Sequence, residues 1–430
     1  MARNTRSKTS GGGSRHTSPM TDRDVLHCVA ELVPEKQYLF FAPVSTSWNT
    51  AWGQRPKETS LVSTDTSASQ LRYSFDCGTR KDNFAVCYAL AGFGKLEALK
   101  CARENKCPWG EGTCSSAAEG GHLAVLQWAR QNGCRWSAET CARAAEGGHL
   151  EVLRWARQRG CPWDERTCSS AALGGHFATL EWARENGCPW DQSACGAAAE
   201  MGHVSILQWL RRSGCPWNDF TCASAATSGQ LAVLQWARAN GCPWNEYTCS
   251  SAAEQGHLHV LQWARQTGCP WDDETCAFAA AGGHLSTLKW ARDNGCPCDE
   301  YTCASAAQRG DLAMLKWARE NGCPWDETTC AAAAEKGHLL TLQWARRNGC
   351  TWDESTTNRA AGKGDLAMLQ WVRQNDCPWS ANTCSIAAAG GHLVLLQWAR
   401  ENGCPWNRMT CLANARAFGR KDVVAWMEDN

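Results

Sequence analysis

The stretch "ETCARAAEGGHLEVLRWARQRGCPWDE", Glu139 to Glu165, alternates two apolar patterns, and a near copy of it begins again at once. In "GHLEVLRWARQRG", Leu150, Leu153 and Ala156 fall on one stripe of a 3.6-residue helix, with Val152 and Trp155 beside them. Gly160 then stands where a helix C-terminus calls for a left-handed residue. The following "CPWDERTCSSAALGG" has Asp164 as a helix N-cap, Glu165 in the first turn, small helix-forming Ala171 and Ala172 near the end, and Gly174 and Gly175 to stop it. Each 27-residue unit is therefore expected to be a short helix A, a tight turn, a helix B and a loop.

The repeat organises nearly the whole chain. Residues 1–20 are rich in Ser, Thr, Arg and Gly with almost nothing apolar to bury, and read as a disordered tail. Residues 21–52 form a separate segment, with Val25, Leu26, Val29, Leu32 and Val33 at helical spacing, a break at Pro34, and a second group through Leu39, Phe40, Val44 and Trp48. Residues 53–430 are read as a repeat array of about 13 units. Its first copies are degraded: Tyr73 and Cys101 stand in the Trp slot of helix B. The last copy gains one residue before Trp426 and ends in charge, as expected of solenoid caps.

Composition changes this picture in three places. Lys plus Arg and Asp plus Glu are 43 each, a balance that argues against a general nucleic-acid or polybasic membrane-surface protein. No apolar run reaches the length of a membrane span, and the N-terminal stretch has no secretory apolar core. The expectation is an intracellular protein, cytoplasmic or nuclear, that is monomeric, without membrane or nucleic-acid partners. The 28 cysteines fall mostly on two 27-residue ladders, Cys107 to Cys404 and Cys87 to Cys411, the second broken at Thr357. Helices pack 8–10 Å apart whereas a disulfide needs Cα atoms within about 7 Å, so these read as small buried thiols in a reducing compartment.

The helical half of the unit, "AAEGGHLEVLRWARQRGC", resembles the ankyrin repeat over roughly residues 58 to 430. The unit has 27 residues where the ankyrin repeat has 33, and "TC" where the family has Thr-Pro. The missing residues belong to the β-turn finger. The resemblance implies an all-α, ankyrin-like helix-turn-helix solenoid with reduced or absent β-hairpin fingers, in which the first helix lines the concave, partner-facing side. Residues 21–52 resemble an F-box through Leu26, Val29, Leu32, Pro34, Leu39, Val44, Ser45 and Trp48, although the usual Leu-Pro opening is replaced by "TDRD". This segment is either an F-box, which implies docking to a ubiquitin-ligase adaptor through Leu26, Leu32, Leu39 and Trp48, or a plain capping bundle.

Candidate chemistry is thin. Cys-x6-Cys pairs with a following His, such as Cys161, Cys168 and His176, lack the close pairing zinc prefers. The His slot also holds Gln230, Asp311 and Asp365, which share a helix-capping role better than a metal. The 25 tryptophans are expected to be core, replacing what the lost finger would bury. The arginine series Arg130, Arg157, Arg184 and onward to Arg400 is expected to pair with acidic loops such as Asp164, Asp191 and Asp326 in a solvated ion-pair ladder. No nucleophile elbow, phosphate loop or paired-carboxylate signature appears. The expected class is a non-enzymatic scaffold without cofactor or metal.

One slot varies freely. The residue preceding "TC" is Arg166, Phe220, Tyr247, Tyr301 or Asn382 in different copies, so it is not core. Phe220, Tyr247 and Tyr301, with Phe278 nearby, are candidate anchors for a protein partner.

Overall fold

The computed structural model describes residues 66–71 and 84–429. From Phe84 onward the described chain is a helical-repeat solenoid with no strand, each repeat contributing a helix A and a helix B. The first pair is Phe84–Gly92 and Leu96–Glu104; Ala138–Glu146 and Leu150–Gln158 show the regular form; the last pair is Arg408–Ala417 and Lys421–Asp429. Two compact units are present. One comprises the described residues up to Thr167 with Ala178–Cys188, the other Cys168–Phe177 with the residues from Pro189 onward. The same repeat builds both. The proposed tail and the F-box-like positions Leu26, Leu32, Leu39 and Trp48 lie outside the described residues, as does Tyr73.

The helix boundaries follow local chemistry. Asp191, Asp299, Asp326 and Asp353 cap their helices A, each accepting from the backbone N–H two residues on, at 2.9 to 3.1 Å. Helix B ends at the left-handed residue, Gly160 with φ 80° in one copy. Asp376 occupies the same slot with φ 63°.

Within each unit, successive helices A pack directly on one another, because their facing positions are Ala, Ser and Cys. The alanine pairs (Ala144 and Ala145, Ala252 and Ala253) are fully buried, as are Leu153, Leu234 and Leu261 from helix B and both cysteine ladders. Helices B of neighbouring repeats hardly touch. The space between them is bridged by tryptophan.

The histidines hold the stack together in a way the capping expectation missed. At His149 the helix B N-cap position makes no side-chain cap bond. Its Nε2 instead lies 2.9 Å from the carbonyl of Glu119, at the end of helix A of the preceding repeat, Glu111–Glu119. His122, His257 and His392 repeat the bond to Gly92, Thr227 and Gly362 at 3.0 to 3.1 Å. Aspartate does cap, since Asp311 and Asp365 accept from the N–H of Met314 and Met368. Where Asp311 replaces His, Arg309 two residues earlier donates to the Ala281 carbonyl at 2.9 Å. The terminal carbonyl of helix A must be satisfied, and either side chain can do it. Gly147 is glycine because a Cβ there would sit 2.5 Å from the same Glu119 carbonyl.

The candidate interaction surfaces on helices A and B

Helix A offers one row to solvent. Phe220, Tyr247 and Tyr301 are 58, 54 and 60 % exposed, and Phe278 is half-buried. They lie on four consecutive helices A of one unit, Asp219–Thr227, Glu246–Glu254, Asp273–Gly282 and Glu300–Arg309. The Phe220 ring lies over Gly196, where a Cβ would be only 3.2 Å from it. Tyr88 and Met409 are exposed aromatic and apolar residues on helices A that the sequence reading did not select, Met409 in the same slot as Phe220. A cleft of about 560 Å³, also missed, opens on helix A between Glu335, Ser355, Asn358, Arg359, Gly362 and Ile386. Its sequence signal is the Gly362 that leaves a gap beside Ile386, and a single glycine is too common to single out.

The helix A face is acidic. In the eight repeats from Asp191 to Gly390, helices A with their N-cap residues hold fifteen Asp and Glu against four Lys and Arg. Several ion pairs lie here: Arg143 bridges Glu139 and Glu146 at 2.7 and 3.0 Å, Arg166 reaches Glu139 at 3.2 Å, and Arg359 reaches Glu335 at 2.7 Å; on helices B, Lys100 pairs with Glu97 and Arg154 with Glu151.

The opposite character appears on helix B. Over the same repeats, helices B with their N-caps carry twelve Lys and Arg against five Asp and Glu. In the regular repeats the loop tryptophan meets the helix B tryptophan 19 residues on, edge to face, as in Trp136 with Trp155 at 5.9 Å and Trp244 with Trp263 at 5.9 Å between ring centroids; the last pair, Trp406 with Trp426, is 20 residues apart and tilted. These rings are half-buried, so they form a ladder on the surface between helices B rather than the closed core expected. An arginine lies over the loop ring six residues after it in most repeats: Arg130 on Trp136 at 4.0 Å, Arg238 on Trp244 at 4.0 Å, Arg319 on Trp325 at 4.1 Å. The same guanidinium donates through Nη1 to the carbonyl of the cysteine four residues on, for example Cys134, Cys242 and Cys323.

This arrangement corrects the ion-pair ladder. The ladder arginines pair with carbonyls and rings, and among the described residues no ion pair to a carboxylate forms at Arg130, Arg157, Arg211, Arg238, Arg265, Arg319 or Arg400. The acidic loop residues turn instead toward the helix A N-termini that they cap. Clefts open along this face: one of about 390 Å³ lined by Gln127, Arg130, Gln131, Trp136, Trp155 and Arg159, and one of about 490 Å³ lined by Arg154, Arg157, Gln158, Trp163, Trp182 and Asn186. One rung is missing, since Cys298 stands in the loop tryptophan slot and Lys289 lies 5.9 Å from the Trp317 ring.

The cysteines line the interior. Loop thiols donate to the carbonyl of the residue that begins the preceding helix A, as Cys134 to Gly110 at 3.2 Å and Cys215 to Asp191 at 3.3 Å. Burial raises the thiols of Cys87, Cys303 and Cys377 to about 12. Thr357 fills the broken place in the ladder and donates its hydroxyl to the Pro378 carbonyl at 2.9 Å. Among the described residues no group of three or more His, Cys, Asp or Glu is arranged to hold a metal ion, and no helix is long and apolar enough to cross a membrane.

No protein-family model and no curated protein sequence matches the chain. Among solved structures it is similar to the pentatricopeptide repeat protein PPR10 in complex with an 18-nt psaJ RNA element, at 14 % identity and TM-score 0.34, covering 95 % of this chain and 73 % of that one. The pentatricopeptide repeat protein PPR10 from maize gives 14 % identity and TM-score 0.32, over 97 % of this chain and 71 % of that one. The human ASB11 ankyrin repeat domain gives 16 % identity and TM-score 0.31, over 36 % of this chain and 84 % of that one. These likenesses go no further than the helical-repeat architecture already described. The exclusion of nucleic acid drawn from the charge balance is withdrawn, because the balanced total concealed a basic row on helices B. Its physical fault is plain: a zero total summed an acidic face and a basic one.

Proposed function

We propose that the chain is a non-catalytic scaffold, an ankyrin-like array of short repeats, that binds a protein partner on the helix A face. The observation that carries this reading is the row Phe220, Tyr247, Phe278 and Tyr301, which places an aromatic at the outer surface of four consecutive helices A. Large rings held on rigid helices lose little entropy on contact and concentrate interface energy. The acidic surroundings select a partner surface that is basic around an apolar centre, with cations free to sit over the rings. Replacing Phe220, Tyr247 and Tyr301 together with alanine is expected to weaken capture of the partner by about 2 kcal/mol or more, roughly thirtyfold. Retention of the same proteins by the triple variant in a lysate pull-down would end this reading.

A second reading rests on the pattern at Leu26, Leu32, Leu39 and Trp48. It makes the array the substrate receptor of a cullin-type ubiquitin ligase. Recovery of the ligase adaptor by the whole chain, and its loss from a chain starting at residue 54, is the expected result. Equal recoveries leave residues 21–52 as a cap.

A further inference from the structure

Six of the ladder arginines have no carboxylate partner among the described residues and are held in place by other groups. At Arg130, Arg157, Arg211, Arg238, Arg319 and Arg400 the guanidinium lies over a tryptophan and commits Nη1 to a backbone carbonyl. Among the described residues, Nη2 has no protein acceptor in any of them. Such a group is pre-oriented: the ring and the carbonyl fix its plane, so an incoming anion finds a donor whose rotamer entropy is already lost. Arg130 and Arg157 each line one of the open clefts. The same arrangement occurs in both units, at Arg130 and Arg157 in one and at Arg211, Arg238, Arg319 and Arg400 in the other.

We propose that the helix B face binds single-stranded nucleic acid, with phosphates on the Nη2 of the ladder arginines and bases entering the clefts beside the tryptophan pairs. Two observations favour this occupant over an acidic protein. A carboxylate needs a donor and no cavity, whereas clefts of about 390 and 490 Å³ walled by indole rings accept a flat heterocycle. Besides Arg154 and Arg159, the polar groups beside the rings include the amides Gln127, Gln131, Gln158 and Asn186, which can both donate to and accept from base edges. The inference is independent of the protein-binding role proposed for helix A and uses the opposite charge.

The experiment is fluorescence anisotropy of labelled oligo(U) and oligo(dT), each about twenty nucleotides long, against the full chain across a salt series. Binding is expected to weaken with salt at a log-log slope of about −0.7 per phosphate neutralised. Replacing Arg238, Arg265 and Arg319 together with glutamine is expected to weaken it at least about tenfold and to flatten the slope by about 2. Because those side chains also hold backbone carbonyls, a second variant keeps them: Gln235→Glu with Gln262→Glu places carboxylates beside intact arginines, in a slot where this chain already carries Glu181. It should weaken binding as well, while Phe220→Ala leaves it unchanged. The proposal fails if neither oligonucleotide binds at about 25 mM salt, where phosphate contacts are strongest. It also fails if polyglutamate of equal length binds as tightly, which would make the partner an acidic protein, or if both variants bind like the parent.

Discussion

The individual residues of the repeat are chosen by backbone demands more than by surface chemistry. Every regular repeat ends helix B in a left-handed residue, and the position is glycine except at Lys106 and Asp376, with φ of 64° and 63°. A side chain in that region is strained by its Cβ, although aspartate bears it better than most. Asp376→Gly is therefore expected to raise stability by about 1 kcal/mol, read as a shift in the urea midpoint at constant slope. A lower midpoint would show that the Asp376 carboxylate contributes more than its backbone costs. The N-cap aspartates and this glycine were legible in the sequence because they act within one turn of chain. The histidine was misread, since its partner is a carbonyl 30 residues earlier, as at His149 and Glu119, and no local pattern reports such a distance.

Between elements, the deciding feature is the difference in side-chain size on the two helices. Alanine and serine let helices A close on one another; helices B stay apart, and edge-to-face tryptophans with arginines above them fill the interval. The exception at Cys298 tests this account. Its repeat keeps Arg292, whose Nη1 holds the Cys296 carbonyl at 2.6 Å, but offers it no loop ring. Cys298→Trp is expected to restore the rung against Trp317 and to stabilise by about 1 to 2 kcal/mol through the aromatic pair and the cation above it. Thermal unfolding at fixed concentration measures it, and an unchanged or lower melting temperature would show that the ladder does not carry the packing between helices B. The periodic Trp and Arg slots were visible in the sequence. Their meeting was not, because a ring six residues after the arginine faces it only once the loop has turned.

Across the whole molecule the repetition turns small effects into large ones. Buried thiols recur through the array, with the thiols of Cys87, Cys303 and Cys377 raised by burial to about 12 and that of Cys411 to about 11, above an ordinary value of 9.0. Below pH 9 these thiols are protonated in both folded and unfolded chains and cost nothing. Above it the unfolded chain releases protons that the folded one retains, so stability falls as the pH rises from about 9 toward 12. The melting temperature is expected to drop steeply across that window. A flat profile to pH 11 would mean the thiols reach solvent without unfolding.

The sequence by itself determined the period, the helix pairs, their caps and turns, and the row where Phe220, Tyr247 and Tyr301 face outward, because each depends on residues within a single unit. Tertiary structure alone decided where the charges stand and what the tryptophans do. A composition sums over all directions, so it returned zero for a chain whose helices A are acidic and whose helices B are basic. Likewise, apolar size says that a Trp seeks cover without saying from what; stacking the repeats left Trp136 and Trp155 half-covered, against an arginine and beside an open cleft.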